Sequence, residues 1–261
     1  MIRAALLSAS LLATPAGAAP VNFDWKTYDP SKEVAVELVL AVDISQSMDT
    51  EEQEVQRAGY VSALTSAEFL EAIRLQPIPR IAVAYMEWGG VDQQYVIADW
   101  TVIDGQASAA AFAAQIQEAP QRQVQRTSIS SALGKAAELI NTNQYSGLRR
   151  VIDISGDGPN NQGLPVTDVR DLVAAQGIAI NGLPLMMKSS ANTWQAMLHL
   201  DAYFEDCVIG GPGAFAIPVR SKDAFAEAIR MKLVMEIAGR VPVPKVVRAS
   251  ERRPIRCGMY D

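Results

Sequence analysis

An acidic residue and two hydroxyl side chains follow a long apolar run near the start of the chain. The stretch is LVLAVDISQSM, residues 38–48, and it carries Asp43, Ser45 and Ser47 at every second position. Alternate residues of an extended segment share one face, so these three side chains can point together while Ile44 points elsewhere. The spacing therefore predicts three oxygen donors directed at one point.

Two further loops offer oxygen donors of the same kind. Thr127 lies in QRTSISSAL just before a predicted helix, and Asp157 lies in SGDG just after a short apolar run. The carboxyl ends of parallel strands meet at one edge of an open sheet. A set of oxygens without imidazole or thiolate suits Mg²⁺, Mn²⁺ or Ca²⁺ and is poor for zinc or copper. The donors expected to converge are Asp43, Ser45, Ser47, Thr127 and Asp157.

The first of these motifs is weak by itself, because Asp and Ser are also ordinary turn and N-cap residues. Three motifs in the right order, two of them ending buried strands, favour a metal site over that simpler interpretation. The second loop leaves alternatives open. Ser128 or Ser130 could supply its donor, and Thr127 could merely cap the helix that follows.

The elements that position these loops alternate along the chain. Residues 49–73 predict an amphipathic helix, with Thr50 and Gln53 as its capping box. RIAVAYMEWGG and QQYVIADWTVI predict a hairpin, whereas EVAVELVLAVDIS, RRVIDISGDG, IAINGLPLMM and AFAIPV predict buried strands. The expected fold is α/β, a doubly wound, mainly parallel six-stranded sheet with one antiparallel edge strand and helices on both faces.

The two ends of the chain differ in composition from the part between them. Residues 1–19 have a short positive start, an apolar stretch and a small-residue cleavage region, which predicts a cleavable signal peptide and a periplasmic or secreted protein. An uncleaved anchor is the alternative. The expected segments are the signal peptide 1–19, a leader 20–32, one domain 33–239 and a Pro- and Arg-rich tail 240–261.

Charge and cysteine content exclude several classes of function. Without residues 1–19, the chain has 22 basic and 29 acidic residues and a net charge of −7, which argues against nucleic acid or an anionic membrane as partner. No later segment is long enough to predict membrane insertion.

Cys207 and Cys257 predict one disulfide in an oxidising compartment, worth about 4 kcal/mol in the chain-entropy account. The alternative is two free thiols in a cytoplasmic protein.

The three loops resemble the metal-ion-dependent adhesion site of von Willebrand factor type A (vWA) domains. That family has D-x-S-x-S in its first loop, a Thr in its second and Asp-Gly in its third. The matching residues here are Asp43, Ser45, Ser47, Thr127, Asp157 and Gly158. The resemblance covers residues 33–239 and extends to the hairpin strand, which is antiparallel in the family. More narrowly, the chain resembles an uncharacterised family of exported bacterial proteins that carry this domain.

Two positions depart from the family pattern. Arg126 stands where the family often has Gly before the Thr of the second loop. Gly156 stands where the family usually has an apolar residue or Thr before the Asp of the third loop. The first departure places a cation near the expected metal, where it could weaken metal binding or help to hold an acidic partner.

The resemblance also implies a function. In the family, the Ser and Thr hydroxyls bind the metal directly and the acids act partly through water, which leaves a coordination position for a carboxylate of a partner. The implied function is a non-enzymatic binding module that uses a divalent cation, with Mg²⁺ expected first and Mn²⁺ or Ca²⁺ as alternatives. The implied partner is a protein that exposes an Asp or Glu. The oligomeric state is left open.

Several loop residues at the same edge are candidates for a rim that contacts the partner. They are Trp88, Asp92, Arg126 and Asn160. For the hairpin, a Gly-rich turn with a half-buried Trp is an equally good interpretation. His199 lies on a predicted helix and is expected to be a packed or surface residue rather than a ligand.

Two other functions remain as alternatives. One is a metal-dependent phosphatase with Asp43 as nucleophile, but enzymes of the haloacid dehalogenase type carry a second Asp two residues later, where this chain has Ser45. No G-x-S-x-G motif occurs, and a catalytic triad would depend on His199 alone. The other alternative is a vWA-like scaffold whose metal site is degenerate. Titration with divalent cations distinguishes the binding module from the scaffold.

Overall fold

The structure is a computed structural model that describes residues 29–187, 199–239 and 254–259. The chain divides into two compact units, Met1–Ser31 and Lys32–Asp261. The predicted signal peptide and most of the predicted leader lie outside the described residues, as do residues 240–253 and 260–261 of the predicted tail. The elements reported below all belong to the second unit.

The described part of the second unit is built on one mixed sheet. Its strands are β1 (Glu33–Asp43), β2 (Ile81–Trp88), β3 (Gln94–Ile103), β4 (Ser146–Gly156) and β5 (Ile178–Pro184). Their order across the sheet is β3-β2-β1-β4-β5. β3 runs antiparallel to β2, and the other neighbours are parallel. This confirms the predicted α/β fold with one antiparallel edge strand.

The strand count differs from the six that the sequence predicted, because the described residues form five. The expected sixth strand, AFAIPV, lies beside β5 but pairs with it only through isolated bridges, Ala216 with Gly182 and Val219 with Leu185. The Ile217 N–H donates to the Gly182 carbonyl and the Val219 N–H to the Pro184 carbonyl, but Pro184 has no amide hydrogen to donate in return, so the ladder is interrupted there. The segment therefore follows the edge of the sheet without being a regular strand.

Helices cover both faces of the sheet. Their bounds are α1 (Thr50–Leu64), α2 (Ala67–Arg74), α3 (Gln106–Glu118), α4 (Ile129–Thr142), α5 (Val166–Ala174), α6 (Leu200–Tyr203) and α7 (Phe225–Ala238). A π-helical turn, Phe204–Val208, continues α6. None of the described helices is both long enough and apolar enough to cross a membrane.

The helix predicted over residues 49–73 is two helices in the structure. The capping box uses Asp49 and Glu52, not Thr50 and Gln53, since the Asp49 carboxylate accepts from the Glu52 N–H at 2.8 Å. Ser66 then starts the second helix by accepting from the Phe69 N–H at 3.2 Å. An extended backbone at the cap residue is what allows its side chain to reach back to the helix.

β1 sits at the centre of the sheet and divides the core into two layers. Val36, Leu38, Leu40 and Val42 face the layer that contains α1, α2, α3 and α7. The intervening residues Val39 and Ala41 face the layer of α4, α5 and the turn after α6. This strict alternation holds the strand in one register, since a slip of one residue would exchange the two faces. The end of β1 is therefore fixed in position.

Candidate metal centre

Three neighbouring parallel strands end at the same edge of the sheet. β1 ends at Asp43, which pairs with Trp88, the last residue of β2. On the other side, Val42 pairs with Ser155, so Gly156 closes β4 beside Asp43. The first and third donor loops leave the sheet at this edge, where functional groups of open α/β sheets gather.

A chain of hydrogen bonds joins the first loop to the third. Oδ1 of Asp43 accepts from the Ser45 N–H at 2.7 Å, and the hydroxyls of Ser45 and Ser47 lie 2.8 Å apart. The Ser47 hydroxyl then donates to Oδ1 of Asp157 at 2.5 Å. The structure thus brings together four of the five predicted donors through direct contacts among themselves.

The fifth predicted donor, Thr127, reaches the same edge through its backbone. Its N–H donates to Oδ1 of Asn161 at 3.0 Å, and its carbonyl accepts from the Asn161 N–H at 2.8 Å. Val124 of the same loop donates its N–H to the carbonyl of Ile44 at 3.1 Å. The second loop is therefore tied to both of the other loops, and Thr127 is buried between them with 4% of its surface exposed.

Two alternatives for the second-loop donor can be compared directly. Ser128 is the N-cap of α4, with its hydroxyl accepting from the Ser131 N–H at 3.3 Å. The Ser130 hydroxyl donates to Oδ1 of Asn160 at 3.3 Å. Both hydroxyls therefore have structural partners, and Thr127 is not the residue that caps the helix. Thr127 remains the candidate donor of this loop.

Arg126 adopts a backbone conformation that suits glycine. Its φ is 71°, and it is the one residue other than glycine with positive φ among the described residues. The left-handed region costs an L-residue free energy that glycine does not incur. The glycine that the vWA resemblance leads us to expect here would adopt this conformation without that cost. The strained residue, Arg126, directly precedes the candidate donor Thr127.

Two buried carboxylates dominate the electrostatics of the site. Asp43 is fully buried and Asp157 is 4% exposed. Burial, and then the nearby charge of Asp157, raise the pKa of Asp43 to about 8, while hydrogen bonds from Ser45 and from the backbone of Asp157 oppose this. Oδ2 of Asp43 has no hydrogen-bond partner among the described residues. A cation at this point would stabilise the ionised form of both acids.

The donor set matches the chemistry of a hard divalent cation. It consists of two carboxylates and three hydroxyls, with no nitrogen or sulfur. Within residues 29–187, 199–239 and 254–259, no group of three or more His, Cys, Asp or Glu side chains is placed to hold a metal. A hydroxyl-rich site is consistent with that finding, because only two of its five donors belong to those residue types.

Two of the four residues predicted for a partner-contacting rim cannot lie on it. Trp88 and Asn160 are fully buried, the first in the core beneath the edge. Asn160 is held inside by its N–H, which donates to the Tyr203 hydroxyl at 3.1 Å, and by its side-chain oxygen, which accepts from the Ser130 N–H. Asp92 and Arg126 are exposed at this edge. The rim prediction is therefore wrong for Trp88 and Asn160.

Two glutamines that were not among the predicted site residues hydrogen-bond to backbone carbonyls of the first loop. Gln56 is buried and donates from Nε2 to the carbonyl of Asp43 at 3.0 Å. Gln123 of the second loop donates to the carbonyl of Met48 at 2.7 Å. The signal that could have identified Gln56 is its position on α1, three residues after Gln53, on the face turned towards the sheet.

Outside the edge, the structure places the remaining predicted residues. Cys207, at the π-helical turn, forms a disulfide with Cys257 near the C-terminus, the pairing expected from the sequence. His199 is exposed at the start of α6, in line with the expectation of a packed or surface residue.

The fold and the sequence were compared with known proteins. Residues 33–241 match the family described as "Protein of unknown function (DUF1194)". No match was found among curated proteins. The structure is similar to the pilus adhesin SpaC from Lactobacillus rhamnosus GG, with 12% identity, a TM-score of 0.58, and coverage of 78% of this chain and 30% of that chain.

Two further solved structures show the same likeness. One is "von Willebrand factor type A from Catenulispora acidiphila", with 14% identity, a TM-score of 0.53, and coverage of 78% of this chain and 43% of that chain. The other is proximal thread matrix protein 1 from the mussel byssus "with zinc occupied MIDAS motif", with 12% identity, a TM-score of 0.53, and coverage of 78% and 46%. The chain has a vWA fold, and its match spans less than half of each of these three structures.

Proposed function

The chain belongs to the DUF1194 family, whose description states no function, and we propose that it is an exported vWA-like module that binds a protein partner through a divalent cation. The cation would be held by Asp43, Ser45, Ser47, Thr127 and Asp157. We propose no catalytic role for these residues. The partner would supply an exposed Asp or Glu carboxylate.

One observation carries this proposal. The side-chain oxygens of Ser45, Ser47 and Asp157 form a hydrogen-bonded chain, and the backbone N–H of Ser45 donates to Oδ1 of Asp43, whose buried Oδ2 has no partner among the described residues. A buried unpaired carboxylate oxygen costs free energy unless another group satisfies it. A cation would satisfy it, and the neighbouring hydroxyls would supply further oxygen ligands.

The chemistry of the donors supports an adhesive role for the metal. A divalent cation held largely by neutral hydroxyls retains most of its positive charge and attracts an additional carboxylate. The three loops would then hold the hydroxyls in fixed positions and keep the two carboxylates away from water. Mg²⁺ is the expected ion, with Mn²⁺ or Ca²⁺ as alternatives. The zinc-occupied motif of the mussel protein supports a divalent cation at such a site in general.

The proposed location and partner follow from separate features. The disulfide between Cys207 and Cys257 supports an exported protein, because disulfides persist in oxidising compartments. We propose that residues 1–19 act as its signal peptide and that the mature protein is periplasmic or secreted. Exposed Arg126 and Asp92 would flank the metal, and Arg126 would favour an acidic partner over a basic one.

Calorimetric titration of the purified protein with Mg²⁺, Mn²⁺ and Ca²⁺ tests the metal site. We expect one cation to bind per chain, and Asp43→Ala to abolish binding while the far-UV circular dichroism stays unchanged. Asp99→Ala, which removes an exposed carboxylate from β3, is the matched control and should bind as the wild type does. Equal binding by wild type and Asp43→Ala would contradict the proposed site.

Capture from periplasmic extract, with and without a chelator, tests the role of the metal in partner binding. We expect a captured protein to be lost on chelation and in Asp43→Ala, and to be retained by Asp99→Ala. Capture that is unaffected by both the chelator and the Asp43 substitution would show that the cation plays no part in the contact. Metal-dependent turnover of a generic phosphate ester would instead favour a hydrolase.

A further inference from the structure

The ends of three neighbouring strands place a very large, an acidic and a very small residue side by side. Trp88 is the register partner of Asp43 across β2 and β1. Gly156 follows Ser155, the partner of Val42, and so lies on the other side of Asp43. Register partners in a parallel sheet point to the same face, so these three positions form one row.

The indole of Trp88 extends across this row to the glycine. A Cβ added at Gly156 would lie 3.5 Å from the ζ2 and η2 carbons of Trp88, and 3.2 Å from Oδ2 of Asp43. The distal ring of the indole therefore occupies the space that a side chain at residue 156 would fill. Both Trp88 and Asp43 are fully buried. The indole and Oδ2 of Asp43 therefore both lie against Gly156.

Packing alone does not explain a tryptophan at this position. The indole Nε1–H of Trp88 has no hydrogen-bond partner among the described residues. A buried donor without a partner costs free energy, and a phenylalanine would fill part of the same space without that cost. The indole extends farther than a phenylalanine ring and reaches Gly156.

We propose that Trp88 is a positioning residue for the metal site and that, with Gly156, it forms a dry floor that fixes the Asp43 carboxylate. This inference rests on the proposed function, because it assigns these residues a role towards the cation. Oδ1 of Asp43 is held by the Ser45 N–H at 2.7 Å. The floor fixes the other oxygen, so that Oδ2 meets an incoming cation without rearrangement.

The first test measures Mg²⁺ affinity and metal-free stability for Trp88→Phe, Gly156→Ala and the double variant. Trp88→Phe shortens the floor, and Gly156→Ala adds a methyl group against both the ring and Oδ2. Each single change should weaken Mg²⁺ binding by about tenfold, the lower end of the range for groups that orient metal ligands. The double variant should recover part of the affinity, because the added methyl group fills the space left by the shorter ring.

A matched glycine serves as the control for these variants. Gly105 lies at the N-cap of α3, and a Cβ added there meets no atom within 4 Å. Gly105→Ala should leave Mg²⁺ affinity unchanged. We expect Trp88→Phe to leave the metal-free midpoint of chemical denaturation near the wild-type value, since the lost apolar contacts are offset by removal of the unpaired N–H.

The second test uses tryptophan itself as the probe. The chain has four tryptophans, so labelling with 5-fluorotryptophan gives four ¹⁹F resonances. The resonance absent in Trp88→Phe is that of Trp88, and Trp100→Phe identifies the resonance of Trp100 on β3 in the same way. Sub-stoichiometric Mn²⁺ should broaden the Trp88 resonance before that of Trp100. Asp43→Ala should abolish the selective broadening.

The outcomes separate failure of this inference from failure of the proposed function. If the wild type binds neither Mg²⁺ nor Mn²⁺, both are wrong. If the wild type binds metal and Trp88→Phe binds it equally well, only the role of Trp88 is wrong. If Trp88→Phe loses metal-free stability but keeps its affinity, Trp88 is a core residue and nothing more.

Discussion

The Ser47 hydroxyl donates a 2.5 Å hydrogen bond to Oδ1 of Asp157, a residue 110 positions later in the chain. This contact joins the loop after β1 to the loop after β4. It also places a hydroxyl and a carboxylate from separate loops within reach of one ion. A bound cation would compete with this hydrogen bond for both oxygens.

Ser47→Ala removes that link and one proposed ligand. We expect Mg²⁺ affinity to fall by about tenfold or more, because an oxygen donor is lost and Asp157 loses its hydrogen bond from the Ser47 hydroxyl. Calorimetric titration measures the change. Ser62→Ala removes an exposed hydroxyl from α1 and should have no effect on affinity. An unchanged affinity in Ser47→Ala would remove Ser47 from the site.

Arg126 provides a test of backbone strain. Its φ of 71° lies in a region that glycine occupies freely, whereas alanine and arginine do not. Arg126→Gly and Arg126→Ala both remove the guanidinium, but only glycine relieves the strain. We expect the glycine variant to be more stable than the alanine variant by about 1 kcal/mol, as measured by chemical denaturation. Equal stabilities would mean that the backbone relaxes when the arginine is replaced.

A buried lysine joins the last helix to the sheet. Nζ of Lys232 on α7 lies 2.6 Å from Oδ1 of Asp153 on β4 and 2.6 Å from Oε1 of Glu236. Lys232→Met would leave two buried acids without their counter-charge, and we expect a loss of about 3–5 kcal/mol in unfolding free energy. Lys135→Met breaks an exposed pair with Glu138 and should cost less than about 1 kcal/mol. Similar losses in both variants would contradict the role of burial.

Glu236 makes the stability of the fold depend on pH. Burial, and then the charge of Asp153, raise its pKa from 4.5 to about 7, although Lys232 and Asn181 oppose this. Between these values the folded state keeps a proton that the unfolded state releases, so the unfolding free energy contributed by Glu236 falls as pH rises. The groups that face Glu236 are Asp153 and Arg149 on β4, Asn181 on β5, Tyr60 on α1 and Lys232 on α7.

Glu236→Gln tests this pH dependence, because glutamine resembles the protonated acid. Chemical denaturation at several values between pH 5 and pH 8 should show a smaller decline with rising pH in the variant than in the wild type. Glu118→Gln, an exposed substitution at the end of α3, is the control and should keep the wild-type slope. An unchanged slope in Glu236→Gln would assign the pH dependence to other groups.

The disulfide links the π-helical turn after α6 to the described segment near the C-terminus, residues 254–259. Cys207 and Cys257 are separated by 50 residues. Replacing both by alanine should lower the unfolding free energy by about 4 kcal/mol in the chain-entropy account, because the unfolded chain gains freedom. Denaturation of the double variant and of the reduced wild type, each compared with the oxidised wild type, measures the loss. A smaller loss in both would indicate that the segment around Cys257 contributes little to the fold.

The sequence by itself determined the alternation of strands and helices, and with it the parallel sheet and its antiparallel edge. An apolar run of strand length predicts a strand that is buried on both faces. Parallel strands in turn require crossover connections, which are usually helices. The same reasoning placed Asp43, Ser45, Ser47 and Asp157 at one edge, because loops that follow parallel strands have no other place to meet.

Only the tertiary structure decided what surrounds those residues. Trp88 is buried by residues from several other elements, and the space its indole takes lies against Gly156, which is distant in sequence and is brought near by strand pairing. A lysine on a helix usually indicates a solvated face. Lys232 is buried instead, and it pairs with Asp153 of β4, a residue that the sequence around Lys232 does not reveal. The periodicity of the sequence predicts which face of a strand or helix a side chain lies on. The residues that pack against it on that face belong to other strands and helices, so a local sequence pattern cannot identify them.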